Sequence, residues 1–213
     1  MASYFIIFIP AAYLIGAFPT SAILSRLIYG IDLRTKGSGN LGATNVFRVL
    51  GAWPGVLVLA IDIFKGFAPV YWIPALMAAQ GGGTAEFKVT LGLAAVAGHI
   101  FSPFVQFRGG KGVATAAGVF LAICPWALML SLAVWLAAMA AFRIVSVASL
   151  AAAVGLPVFV CLTADRALSG YGVIQGFSIL IALAVILTHM SNIRRLLQGE
   201  EKKLGTRSKE EGR

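Results

Sequence analysis

The chain has 213 residues, 59% of them hydrophobic and only 12% charged, with 17 Lys and Arg against 8 Asp and Glu. A soluble domain carries roughly 25% charged residues, so this composition excludes an ordinary water-soluble protein and describes an integral membrane protein. Cys124 and Cys161 both sit inside apolar runs and imply neither a disulfide framework nor a metal cluster; the net charge of +9 collects in loops and tail, where it reads as topology and attraction to anionic lipid, not nucleic acid.

The first apolar run has no basic residue ahead of it, and its first cation, Arg26, comes near its end. That pattern is not a signal peptide. It predicts a first helix at about 3–28 with its N-terminus outside and the following loop inside. A spanning helix needs about 20 apolar residues, which predicts a second at about 51–79 and a third at about 88–106. The second is too long for a roughly 30 Å core unless tilted or kinked, and Pro69 and Pro74 supply kinks. Gly81-Gly82-Gly83-Thr84 then closes this pair on the outside.

Pro125 and Arg143 divide the apolar block 113–163 into a short fourth helix (about 112–124), a fifth (126–142) and a sixth (146–162); a seventh runs from about 173 to 193. The expectation is an all-α integral membrane protein of about seven helices, with a single polytopic domain over 1–193 and a basic cytoplasmic tail over 194–213. This topology puts Arg26, Arg34, Lys36, Arg48, Arg108, Lys111, Arg143 and the tail cations inside, against Lys88 and Arg166 outside. Fusing the fourth and fifth helices would send the basic tail outside, against the charge rule. At 1.5 Å per residue the fourth helix covers only about 20 Å, so its N-terminal end lies below the membrane surface, where an anion site can form.

Three polar clusters face the predicted inner side. The first, "KGSGNLGATN", contains a literal G-x-G-x-x-G, but a membrane helix precedes it, and Asp62, at the spacing of a ribose-binding acid, lies within an apolar run. The dinucleotide reading fails on that context. What the segment offers is glycine backbone, the polar groups of Ser38, Asn40, Thr44 and Asn45, and the cations Arg34, Lys36 and Arg48, without a carboxylate. Such a set suits phosphate better than a metal. The second cluster, "FRGGKGVATAAG", sets Arg108 and Lys111 among Gly109, Gly110 and Gly112 just before the short helix. Amide N–H groups and the helix dipole there favour an anion, although the spacing is not that of a Walker A loop. The third, "THMSNIRRL", places His189 and Asn192 on one helical face; His189 is an acid or base, a phosphate donor, or an idle interfacial histidine.

Asp62 and Lys65, three apart in the second helix, read as an ion pair; His99 reads as a packed, hydrogen-bonded residue and Ser146 as a helix N-cap or site residue. No serine-nucleophile elbow, metalloprotease motif or paired-carboxylate site is present, so covalent, metal-assisted and two-carboxylate mechanisms lack parts. A phosphate-ester transporter is the competing class, but those usually show an internal repeat with paired broken helices.

Taken together, "GSGNLGATNVFR", "GGKGVAT" and "HMSNIRR" resemble, in order and spacing over essentially the whole chain, the bacterial acyl-phosphate:glycerol-3-phosphate acyltransferase family (PlsY type). The resemblance implies acyl transfer from acyl phosphate to the sn-1 hydroxyl of glycerol 3-phosphate, yielding lysophosphatidate at the inner face of the bacterial cell membrane. It implies no cofactor or metal, membrane lipid as surroundings, and a soluble acyl-phosphate-producing enzyme as a candidate partner. It points to Lys111, Ser38, Arg48 and His189 as catalytic, and to Asn40, Thr44, Gly109, Gly110, Gly112, Ser146 and Asn192 as substrate-binding. "RIVSVAS" departs from the family's usual Ser-Ser pair, which leaves Ser149 as an alternative to Ser146.

Overall fold

The computed structural model describes residues 2–80, 82–167 and 170–204, all in helices and their connections. The helices are α1 (Ala2–Ala17), α2 (Thr20–Ile23, continued by a π turn over Leu24–Ile28), α3 (Ala43–Leu50), α4 (Ala52–Leu76), α5 (Ala85–Ile100), α6 (Val113–Ile123), α7 (Pro125–Phe142), α8 (Val145–Thr163), α9 (Tyr171–Thr188) and α10 (Met190–Leu197). Among the described residues, six segments are long and apolar enough to cross a membrane: Ile6–Ile28, α4, Ala85–Val105, α7, α8 and α9. The seventh apolar helix, α6, has only 11 residues. It forms where the short fourth helix is expected, and Pro125, at the first position of α7, enforces the break after it. Residues 205–213 of the expected tail, Gly81 of the expected turn, and Leu168 and Ser169 lie outside the described residues.

Three expected elements are corrected. The first helix is not continuous: it breaks at Phe18–Pro19, because proline lacks an amide hydrogen and clashes with the preceding turn. The carbonyls freed by the break are answered from other helices, with Ser102 Oγ donating to Ala17 O at 2.6 Å and Lys65 Nζ donating to Phe18 O at 3.0 Å. The polar segment before the second helix is not all loop. Residues 43–50 form α3, which folds against α4 through Gly51, whose φ of +97° lies where side-chain-bearing residues are strained. The seventh helix, in turn, ends at Thr188 instead of running through 193, and α10 restarts after His189, whose ring takes a backbone carbonyl of the preceding turn.

Helix packing relies on small residues. Helix α1 lies on α5, α4 on α6, α7 on α8, and α8 on α9. In the α4–α6 pair the contact is reciprocal: a Cβ at Gly66 would lie 2.0 Å from Thr115 O, and one at Gly118 would lie 1.9 Å from Ile63 O. The α1–α5 pair repeats this with Gly16 on the Ala95 carbonyl and Gly98 on the Tyr13 carbonyl. Lipid gives helices no hydrophobic incentive to associate, so backbone-to-backbone approach at small residues supplies the contact. The main core joins Leu91, Val119, Phe120, Val160, Phe177 and Ile181 from α5, α6, α8 and α9. A second cluster of Leu33, Leu41, Val46, Val58 and Val105 sits under the first polar segment and anchors it.

Gly118→Ala should destabilise the protein by about 1–3 kcal/mol through overpacking, read as a lowered unfolding temperature in detergent. Gly176→Ala, inside α9 with nothing within 4 Å of its added carbon, should leave that temperature unchanged or raise it, because alanine is the better helix former.

Candidate active site

The first polar segment is organised by Asn45, which is buried to 1% exposure on α3. Its Oδ1 accepts from the Ser38 backbone N–H at 2.8 Å, while its Nδ2 donates to Lys36 O at 3.1 Å and Leu33 O at 3.3 Å. Gly37 turns with φ +64° directly over that amide, where a Cβ would meet Asn45 Oδ1 at 2.2 Å. Asn45 thus holds the glycine-rich turn closed and leaves Ser38, Asn40, Thr44 and Arg48 along one wall of a cavity of about 500 Å³.

Lys111 stands on the opposite wall. Thr188 Oγ1 donates to its carbonyl at 3.1 Å, and Gly112, with φ +82°, caps α6 so that Val113 and Ala114 of the first turn also line the cavity. The Lys111 ammonium donates to Asn192 Oδ1, and Asn192 Nδ2 donates onward to Glu201 Oε1 at 2.5 Å. Glu201 Oε1 also accepts from Ser146 Oγ at 2.8 Å, and its Oε2 from Arg195 Nε at 2.7 Å. Ser146 occupies the second position of α8 and does not cap it; the hydroxyl is committed to the cavity side. Ser149, one turn deeper, accepts from Trp135 Nε1 at 3.3 Å.

Burial pushes Lys111 down to about 8, with Arg195 and Arg48 adding to the shift and Glu201 opposing it. Burial likewise pushes His189 down to about 4, helped by the Lys111 cation, so the imidazole is neutral at pH 7. His189 Nδ1 lies 2.8 Å from Val185 O, a distance at which it must be the protonated nitrogen, leaving Nε2 with a lone pair. Desolvation by burial lowers Arg48 as well.

Lys111, Ser38, Arg48, His189, Asn40, Thr44, Gly112 and Asn192, from all three polar clusters, line this one cavity, and so do Ser146 and Ser149 of α8. Gly109 and Gly110 do not. Their amides donate to the Ile100 and His99 carbonyls, and a Cβ at Gly110 would lie 2.2 Å from His99 Nε2; they seat the Lys111 loop on α5. Of the other cations considered, Arg34 donates to Val105 O at 2.9 Å and Gln106 Oε1 at 3.1 Å, tying the first polar segment to the second, and Arg108 is exposed. Asp62 and Lys65 form the expected ion pair at 2.9 Å, with His99 Nδ1 3.9 Å from the same carboxylate. Reading the sequence missed the organising role of Asn45, and missed Arg195 and Glu201 altogether. Asn45 carries a signal, as a side chain able to bridge a glycine turn, whereas nothing in the charged tail marks Glu201.

Below this polar mouth the wall turns apolar. Leu59 and Ile63 of α4, Phe120 of α6, Leu128, Leu132 and Trp135 of α7, Leu156 of α8 and Ile181 of α9 surround the deeper part. A multi-pass membrane protein whose apolar cavity ends in a cationic mouth of hydroxyls, amides and glycine backbone is one built to handle an amphiphile with an anionic end.

Comparison with known proteins is consistent with that class and narrows it. A model of the glycerol-3-phosphate acyltransferase family matches residues 6–199. The glycerol-3-phosphate acyltransferase of Trichlorobacter lovleyi is 45% identical over 195 residues, 92% of this chain and 95% of that protein, and that of Geobacter sulfurreducens is 42% identical over 190 residues, 89% and 92%. A crystal structure of PlsY (YgiH), an integral membrane glycerol 3-phosphate acyltransferase, in its glycerol 3-phosphate form superposes with a TM-score of 0.85 at 38% identity, covering 96% of this chain and 97% of that one. Its lysophosphatidic acid form gives 0.82 over the same shares. The chain belongs to the glycerol-3-phosphate acyltransferase family, and its place in phospholipid biosynthesis follows from that membership.

The Lys111 cation is present below about pH 8 and lost above it. The value of kcat/KM, which reports the free enzyme, should therefore fall as pH rises through 8. Lys111→Arg should flatten that fall, because the guanidinium stays charged throughout.

Proposed function

We propose that the chain transfers a fatty acyl group from acyl phosphate to the sn-1 hydroxyl of glycerol 3-phosphate, releasing lysophosphatidate and inorganic phosphate at the inner face of the bacterial cell membrane. The observation that carries this reading is the convergence of three cationic or polar clusters on the mouth of one apolar cavity. Both substrates carry a phosphate, which accounts for two walls of donors, Arg48 with Ser38, Asn40 and Thr44 on one and Lys111 with Asn192 and Ser146 on the other. The acyl chain fits the apolar part, with α4 and α7 forming its flanks.

Acyl phosphate is a mixed anhydride with a good leaving group, so the acceptor hydroxyl can attack the acyl carbon directly. The new ester C–O bond forms, the bond from acyl carbon to phosphate oxygen breaks, and the phosphate departs with the electron pair. Lys111 and Arg48 offset the charge that builds on phosphate and acyl oxygen, and the donors of the two walls fix the attack geometry. The hydroxyl proton has two destinations, His189 Nε2 or a phosphate oxygen of the substrates themselves. A buried imidazole held near pKa 4 is a weak base, which favours the phosphate oxygen and leaves His189 to orient the hydroxyl. The positive charge flanking α2, the Lys111 loop and α10 supports an inward-facing site and an outward N-terminus.

Purified protein should release phosphate from acyl phosphate only when glycerol 3-phosphate is added, and acyl-CoA should not replace the donor; transfer from acyl-CoA alone would overturn the donor assignment. Lys111→Ala should abolish turnover in a folded protein. His189→Gln should cost less than 10²-fold if the phosphate takes the proton, and 10²-fold or more if His189 is the general base.

A further inference from the structure

Among the residues lining the phosphate-binding mouth are two carboxylates, Asp62 and Glu201. Asp62 is held by Lys65. Glu201 is different: it comes from the segment after α10, two residues beyond the region that the family model matches, and its side chain is 8% exposed. The backbone delivers it there by a defined route. Gly199, with φ +72°, ends α10 and reverses the chain, Glu200 N–H closes on Arg195 O at 2.8 Å, and Leu204 N–H pins the far end to Arg143 O at 2.7 Å. Residues 198–204 thus form a strap across the mouth, with the Glu201 carboxylate accepting from Ser146, Asn192 and Arg195.

Ser146 and Asn192 are the donors that the proposed reaction assigns to a substrate phosphate, and Asn192 also accepts from the Lys111 ammonium. A carboxylate and a phosphate are both anions and both acceptors; Ser146 carries a single O–H, and one of the two Asn192 Nδ2 hydrogens is spent on Glu201, so the closed strap denies a phosphate the Ser146 donor and half of the Asn192 amide. Arg48, Lys111, Arg195 and Lys202 surround that position, so either anion is electrostatically satisfied there. We propose that Glu201 is an intramolecular anion that competes with substrate phosphate for the Ser146–Asn192–Arg195 donors, and that the 198–204 strap swings away as the phosphate enters. Closed, the strap screens the cations of the mouth from one another; open, it exposes them to a ligand that carries more charge than a carboxylate.

This inference rests on the functional reading above. Apparent affinity is lowered by the fraction of molecules in the binding-competent state, so removing the competitor should lower the KM for glycerol 3-phosphate by roughly tenfold. Glu201→Gln, and separately a chain ending at Gly199, should both show that fall, together with a matching fall in the inhibition constant of inorganic phosphate and no fall in kcat. Thermal unfolding in detergent reports whether each variant is folded. If Glu201 only props α10 and Asn192 in place, KM rises or stays unchanged in both variants, and the proposal is overturned. Should the wild-type chain transfer acyl groups from neither donor, the functional reading fails by itself. Equilibrium binding of inorganic phosphate to the wild type and Glu201→Gln then still decides: tighter binding by the variant supports competition, and equal or weaker binding overturns it.

Discussion

The freed backbone carbonyls and charged groups that this chain carries below the ends of its apolar helices are answered from within the chain, because hydrocarbon offers no partner. The rest of the architecture follows from how that demand is met. Where Pro19 breaks the first span, the Ala17 and Phe18 carbonyls lose their helical partners; Thr20 N–H takes the Phe18 carbonyl locally, and Ser102 and Lys65 reach the two carbonyls from α5's end and from α4. Lys65 in turn neutralises Asp62, and His99 packs beside that pair while its carbonyl receives the Gly110 amide. A chain of satisfied polar groups therefore runs from the break in the first span to the loop that presents Lys111. The buried ion pair is part of the support of the site and not an isolated feature of α4.

The same constraint explains why cationic charge survives at the mouth. Lys111 is pushed down by burial yet keeps Asn192 as a partner, and Glu201 is, with Asp62, one of the two carboxylates that line the mouth among the described residues. The arrangement is asymmetric. The α3 wall holds Arg48 among neutral groups, whereas the α10 wall holds Lys111 and Arg195 against a carboxylate. Anions entering the mouth meet a wall of available donors on one side and a wall already engaged on the other.

Much of this was legible in the sequence, and the exceptions have physical reasons. The apolar segments, the shortness of α6 and the convergence of the three clusters were readable because membrane length, proline punctuation and positive charge are strong one-dimensional signals. The break at Phe18–Pro19 was hidden because the apolar runs around it outweigh a visible proline and the short polar pair Thr20-Ser21. Residues 43–50 looked like loop because glycines and Asn40 precede them, although Val46 faces the core and Arg48 the cavity from one short helix. The break at His189 is set by a ring-to-backbone bond that no residue pattern announces. Gly109 and Gly110 were read as phosphate contacts from their chemistry, whereas their amides are spent on α5, a matter of tertiary placement. Glu201 was invisible because a short charged segment beyond the last helix carries no period from which to place it.

The 11 residues of α6 reach only about 16 Å at 1.5 Å per residue, roughly half of a hydrocarbon core. A bilayer around the full-length α4, α7 and α8 must therefore meet, at α6, a helix that ends halfway. The missing half of that span is occupied by the polar mouth, whose lining includes Val113 and Ala114 of the first turn of α6. The depth of the donors at the mouth, Lys111 among them, is therefore set by the length of α6 and not by the ends of α4, α7 and α8.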